Sequence, residues 1–67
     1  MSIIEQLEYE IRLYNEQFRG NPKRIIMNPE EYTMLKDELD IDIYDDVYNY
    51  KGIKIKVNTK TDEFYLD

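Results

Sequence analysis

Between Arg24 and Leu39 the chain reads RIIMNPEEYTMLKDEL, and at Asn28-Pro29 an extended run has to end and a helix begin. Asn is a favoured N-cap, Pro29 takes the first helical position where its missing N–H costs nothing, and Glu31 falls at the third position of a capping box. Glu30 and Glu31 also meet the positive end of the helix dipole. Ahead of this point Ile25, Ile26 and Met27 form a run too short for a helix and rich in β-branched residues, which reads as a strand. Behind it Tyr32, Leu35 and Leu39 share one helix face at i, i+3 and i+7, with Met34 beside them. The remaining elements must pack around this strand, sharp turn and helix.

Residues 2–19 read as an amphipathic helix. Ser2 caps it with Glu5 three residues on, and Ile4, Leu7, Ile11, Tyr14 and Phe18 recur at alternating steps of three and four, with Ile3 widening the stripe. Tyr9 and Leu13 stack on each other on the far side of that stripe. They mark either an isolated exposed pair or a second contact surface, and the second reading assigns them to self-association. Gly20-Asn21-Pro22 ends the helix, Gly being the usual residue just past a helix end and Pro being unable to continue it. The stretch DIDIYDD from Asp40 to Asp46 reads as an acidic loop or the approach to an edge strand. From Val47 the period changes to two. Ile53, Ile55 and Val57 alternate with Lys54, Lys56 and Asn58 as a half-buried strand with its lysines in water. Val47 to Tyr50 pairs with it across Lys51-Gly52, where Gly permits the positive φ of a tight hairpin. Thr59 to Asp62 turns, and Glu63 to Asp67 closes as a strand with Phe64 and Leu66 inward. The order α-β-α-β-β-β predicts a single two-layer α+β domain, with helices on one face of a small, mainly antiparallel sheet.

A chain of 67 residues buries only about 60% of its unfolded surface, so its core is thin. Domains of this size add disulfides, a metal or an oligomeric interface. With no Cys and no His in the sequence, disulfides, zinc and haem ligation are excluded. Self-association remains, and seven Tyr fit it because Tyr is enriched in interfaces. A homo-oligomer is expected. No leader pattern and no run of about 18 apolar residues occurs, which predicts a soluble, intracellular protein without membrane contact.

Chemistry finds little purchase in these residues. A nucleophile would need a Lys or carboxylate base, the only Ser is Ser2, and the two glycines, Gly20 and Gly52, make no phosphate-cradling loop. An EF-hand loop begun at Asp40 would require Gly where Asp45 stands and Glu where Lys51 stands. The expectation is therefore no catalysis, no metal and no cofactor. The net charge is −6, unevenly laid. Residues 30–46 hold eight acids against one Lys, and residues 51–60 hold four Lys and no acid. An acidic whole repels phosphate, so direct nucleic-acid binding is not expected, and outward lysines on a strand also discourage edge-to-edge aggregation. The acidic, tyrosine-interleaved stretch from Glu30 to Tyr50 can instead present charge to a basic groove much as a nucleic-acid backbone does. Glu30, Asp37, Asp40, Asp42, Tyr44, Asp45, Asp46 and Tyr48 are the candidate partner-facing residues.

The run PKRIIMNPEEYTMLK, followed by YKGIKIKVN and the closing EFYL, resembles small proteins encoded by tailed phages and prophages of Gram-positive bacteria. More distantly it is similar to a strand–helix–strand stretch of phage major capsid proteins. The similarity covers residues 22–66 and implies a viral origin and a host-cell cytoplasmic setting, where short non-enzymatic proteins commonly bind and block host factors. Together these readings predict a phage-encoded inhibitor of a host protein with a basic surface, in defence or nucleic-acid handling. The alternative is a structural or assembly-linked phage protein.

Overall fold

The computed structural model describes residues 2–67. Its elements run α1 (Ile3–Phe18), β1 (Arg24–Met27), α2 (Pro29–Glu38), β2 (Asn49–Tyr50), β3 (Ile53–Val57) and β4 (Tyr65–Leu66). This is the expected order, and the fold is a small α+β one. The four strands lie in the order β2-β3-β1-β4. The sheet is mixed. β2 with β3 and β1 with β4 are antiparallel, but the longest pairing, Arg24–Met27 of β1 against Lys54–Val57 of β3, is parallel. Parallel neighbours need a crossover, and α2, the loop after it and β2 together provide one.

Alternation along the strands decides which side the helices cover. Ile25 and Met27 of β1, Tyr50 of β2 and Ile53 of β3 point to one face, where they meet Ile3 and Leu7 of α1 and Leu35 of α2 in a single buried cluster. Tyr32, Leu39, Phe64 and Leu66 pack around it. The α1 stripe is only partly used. Phe18, expected in the core, is 61% exposed and packs instead on Tyr14 with ring centroids 4.6 Å apart. The reason is length: α1 spans about 24 Å and the longest strand about 17 Å, so the last helical turn overhangs the sheet. The helix also ends one residue earlier than the glycine suggests. Arg19, not Gly20, takes the left-handed conformation (φ 56°) and donates its N–H to the Asn15 carbonyl.

The two helix starts are tied to distant parts of the chain. The Asn28 side chain accepts from the Glu31 N–H (2.8 Å) and the Glu31 carboxylate accepts from the Asn28 N–H (3.3 Å), the capping box read from the sequence. Glu31 also accepts from the Phe64 N–H at 3.1 Å, and the Asn28 amide donates to the Asp62 carbonyl at 2.9 Å. The cap that starts α2, about 1 kcal/mol in itself, therefore also positions β4. At α1, Ser2 Oγ accepts from the Glu5 N–H, and the Glu38 carboxylate reaches across from α2 to accept from Ile3 N–H (2.7 Å) and Ile4 N–H (3.4 Å). Partial desolvation pushes the Glu38 carboxyl upward, but the hydrogen bonds from Ile3, Ser2 and Ile4 outweigh it and hold it below the usual range.

Lys51 (φ 49°) and Gly52 (φ 82°) both adopt positive φ, the backbone of a two-residue type I′ hairpin between Tyr50 and Ile53. Glu8 of α1 clamps this turn, accepting from the Tyr50 hydroxyl and pairing with the Lys51 ammonium, each at 2.5 Å. Burial, with the Glu8 hydrogen bond and charge, pushes the Tyr50 phenol up from 10.0 to about 12. Below the unfolded value the hydroxyl is protonated in both states and the stabilisation is complete; it is lost as pH rises through the folded value. Urea midpoints are thus expected to fall between pH 10 and about 12, and Tyr50→Phe should flatten that decline. Parallel curves for the two proteins would rule the linkage out.

Candidate partner-binding surface

The loop joining α2 to β2 carries most of the predicted partner residues, and it is an ordered structure. Its start, with Leu39 as C-cap, terminates the helix. The Ile41 N–H bonds to the Lys36 carbonyl (2.9 Å) and the Asp40 N–H to the Asp37 carbonyl (3.1 Å), with Asp40 in the left-handed region at φ 59°. This is a Schellman arrangement with Asp in the place Gly usually takes. Asp40 was predicted as a contact residue; the structure gives it a backbone duty as well. Beyond it, Asp42 Oδ1 accepts from the Tyr44 N–H (3.0 Å) and the Asp42 carbonyl from the Asp45 N–H (2.9 Å), closing a compact turn.

Two side chains one turn apart on α2 pin this loop. The Lys36 ammonium donates to the carbonyls of Ile43 (2.9 Å) and Asp45 (2.8 Å), and the Tyr32 hydroxyl donates to the Val47 carbonyl (3.3 Å) and accepts from the Val47 N–H (2.8 Å). Lys36 is only 7% exposed and lies over the Tyr32 ring, 4.9 Å from its centroid. Sequence reasoning missed this role, treating Lys36 as one positive charge among eight acids. The available signal was its position, four residues after Tyr32 and next to the core residue Leu35 on the inward side of α2.

With its backbone held from within, the loop turns its side chains out. Tyr44 is 92% exposed, Tyr48 73% and Ile43 66%, and Asp42, Asp45 and Asp46 are exposed among them. The Tyr48 hydroxyl donates to Asp46 (3.3 Å), and the Asp46 charge and this bond raise the Tyr48 phenol above its ordinary value. The structure thus brings Asp40, Asp42, Tyr44, Asp45, Asp46 and Tyr48 into one loop. Asp37 adjoins it from the last turn of α2. Glu30 does not: it stands on the same helix stripe but in the first turn, about 10 Å back along the axis.

Tyr9 and Leu13 are exposed on α1 and line a shallow groove with Phe64 and Tyr65 beside the edge strand β4; Glu5, Glu10 and Glu63 border it. The groove is aromatic and mainly acidic, with Arg12 as its one base. Among the described residues no three carboxylates converge as metal ligands, and no helix is long and apolar enough to cross a membrane.

Charge follows the layers. Each helix carries four acids and one base, whereas the strands carry Arg24, Lys54 and Lys56 and no acid. The chain is a two-layer α+β domain with an acidic helical layer, a basic outer sheet face and an ordered acidic, tyrosine-bearing loop at one end. No protein-family model, no curated protein and no solved structure matches it.

Proposed function

We propose that this chain is a non-enzymatic, phage-encoded protein that binds a basic surface of a host protein through residues 40–48 and inhibits it, as a nucleic acid in the same cleft would. The carrying observation is the combination at that loop: a backbone pinned by the 7% exposed Lys36, and a tip that leaves Tyr44 92% exposed among carboxylates. A loop ordered before binding loses little entropy on docking. Exposed tyrosines are the side chains that become interface anchors, and the surrounding acids steer the loop toward a positive cleft. Nucleic-acid-handling and defence proteins of the host carry such clefts. The viral setting comes from the resemblance over residues 22–66. Self-association through Tyr9 and Leu13 belongs to the same proposal, supplying the interface that so small a core calls for.

The test is affinity capture from host lysate with tagged protein against a variant in which Asp42→Asn, Asp45→Lys and Asp46→Lys are combined. Asn at 42 keeps the acceptor that forms the turn, and Asp40 is left alone because it ends α2. One dominant basic protein, recovered by the natural chain and lost with the variant, is the expected result. Equal recovery by both removes the loop from binding.

The second reading, an assembly-linked phage protein, is favoured by a different feature, the opposite charge of the two layers.

A further inference from the structure

The sheet face away from the helices is open and built in two rows. The register sets Asn49, Lys54 and Arg24 side by side, and next to them Lys56, Ile26 and Tyr65. Lys54 and Lys56 are exposed and, among the described residues, make no ion pair, while Arg24 pairs with Asp67. Ile26 is only 4% exposed yet stands outside the buried cluster; it sits between the long side chains of Lys56 and Tyr65. Tyr65 is 50% exposed. Beyond the edge strand β4, across a groove that Tyr65 also lines, the outward stripe of α1 shows Tyr9 at 56% and Leu13 at 40%, with the exposed carboxylates Glu5, Glu10 and Glu16 and one exposed base, Arg12, around them.

We infer that the chain stacks head to tail with a second copy of itself, the acidic outer side of α1 around Tyr9 and Leu13 lying on the open basic sheet face of the next copy. This rests on the self-association reading of Tyr9 and Leu13 and names the surface they meet. Charge complementarity carries it. Two copies joined through the same α1 face would bring together two surfaces that each hold Glu5, Glu10 and Glu16 against the single base Arg12, and like charges across an interface are costly. The open sheet face offers lysines to those acids and a ring to Tyr9 and Leu13. A second helical layer there completes a helix–sheet–helix sandwich, the arrangement that covers both faces of a sheet. Because the two patches differ, the contact is heterologous and repeats from copy to copy. The face spans about 14 Å across its strands and about 17 Å along β3, so each contact is small and the association weak and concentration-dependent.

Sedimentation from about 10 μM to about 1 mM, the range of weak contacts, tests this with two variants, Lys54→Glu/Lys56→Glu and Glu10→Lys/Glu16→Lys. All four positions are exposed, and circular dichroism checks that the fold is kept. The natural chain should associate, and about 0.5 M salt, which shortens screening to a few ångströms, should disperse it. Each variant alone should associate at least about tenfold more weakly, the change one close charge pair carries. An equimolar mixture should recover association, because each variant now complements the other. A natural chain that stays monomeric throughout, or a mixture no stronger than its components, overturns the inference. Loss on Tyr9→Ser/Leu13→Ser without loss on Lys54→Glu/Lys56→Glu overturns it too, while leaving Tyr9 and Leu13 a different partner. Saturable binding of a single-stranded oligonucleotide by a monomer, abolished by Lys54→Glu/Lys56→Glu, would overturn it and give the face to nucleic acid. The 40–48 loop is untouched in every variant, so host-target capture is unaffected by any of these outcomes.

Discussion

Replacing Leu7 with Ala is expected to leave most of the chain unfolded at room temperature. Leu7 is 0% exposed and joins α1 to the cluster formed by Ile25, Met27, Leu35, Tyr50 and Ile53. Buried Leu→Ala changes cost about 3–5 kcal/mol through lost transfer energy and the cavity left behind. A domain of this size rarely holds more than about 3–5 kcal/mol in total, so the loss equals the whole margin. Leu7→Met keeps the volume, costs less than about 1.5 kcal/mol and should stay folded. Urea titration followed by circular dichroism reads both. A Leu7→Ala chain whose urea midpoint stays close to the natural one would mean that α1 contributes far less to the core than its burial indicates.

Removing the Lys36 ammonium is expected to dissolve the loop without touching a carboxylate. In Lys36→Met the apolar stem is retained, but the carbonyls of Ile43 and Asp45 lose their donor. Hydrogen bonds from a charged donor to partly buried acceptors contribute roughly 1.5–3 kcal/mol each, and the loop can recover part of this from water, which leaves about 2 kcal/mol. Amide hydrogen exchange should accelerate over residues 41–47 and stay slow in β1 and β3. Capture of the proposed host partner should weaken together with loop order. Retained capture with a loosened loop would show that charge alone suffices and that the pinned conformation has no part in recognition.

Lys36 also shows why much of the candidate surface was illegible. Its partners lie seven and nine residues along the chain, and nothing in the local pattern says that a loop will fold back over it. Asp40 is similar: an Asp at the left-handed position after a helix looks, in sequence, like one more acid in an acidic run. Phe18 misled in the opposite direction, because a helical stripe does not reveal how far the sheet beneath it extends. The acidic loop itself was legible as composition, and so was the placement of Tyr9 and Leu13 on the outer side of α1, where both are exposed.

What the sequence by itself determined was everything carried by contacts a few residues apart or by strict alternation. The Asn28-Pro29-Glu31 start of α2, the two-residue turn at Lys51-Gly52, the outward lysines of β3 and the order of six elements belong here. Tertiary structure alone decided the parallel pairing of β1 with β3, the carboxylates of Glu31 and Glu38 that tie each helix start to a distant segment, and the separation of charge into an acidic helical layer and a basic sheet face. These depend on which strands become neighbours. That choice is made by burying Leu7, Ile25, Met27 and Leu35 together, a non-local effect that no short window of residues encodes.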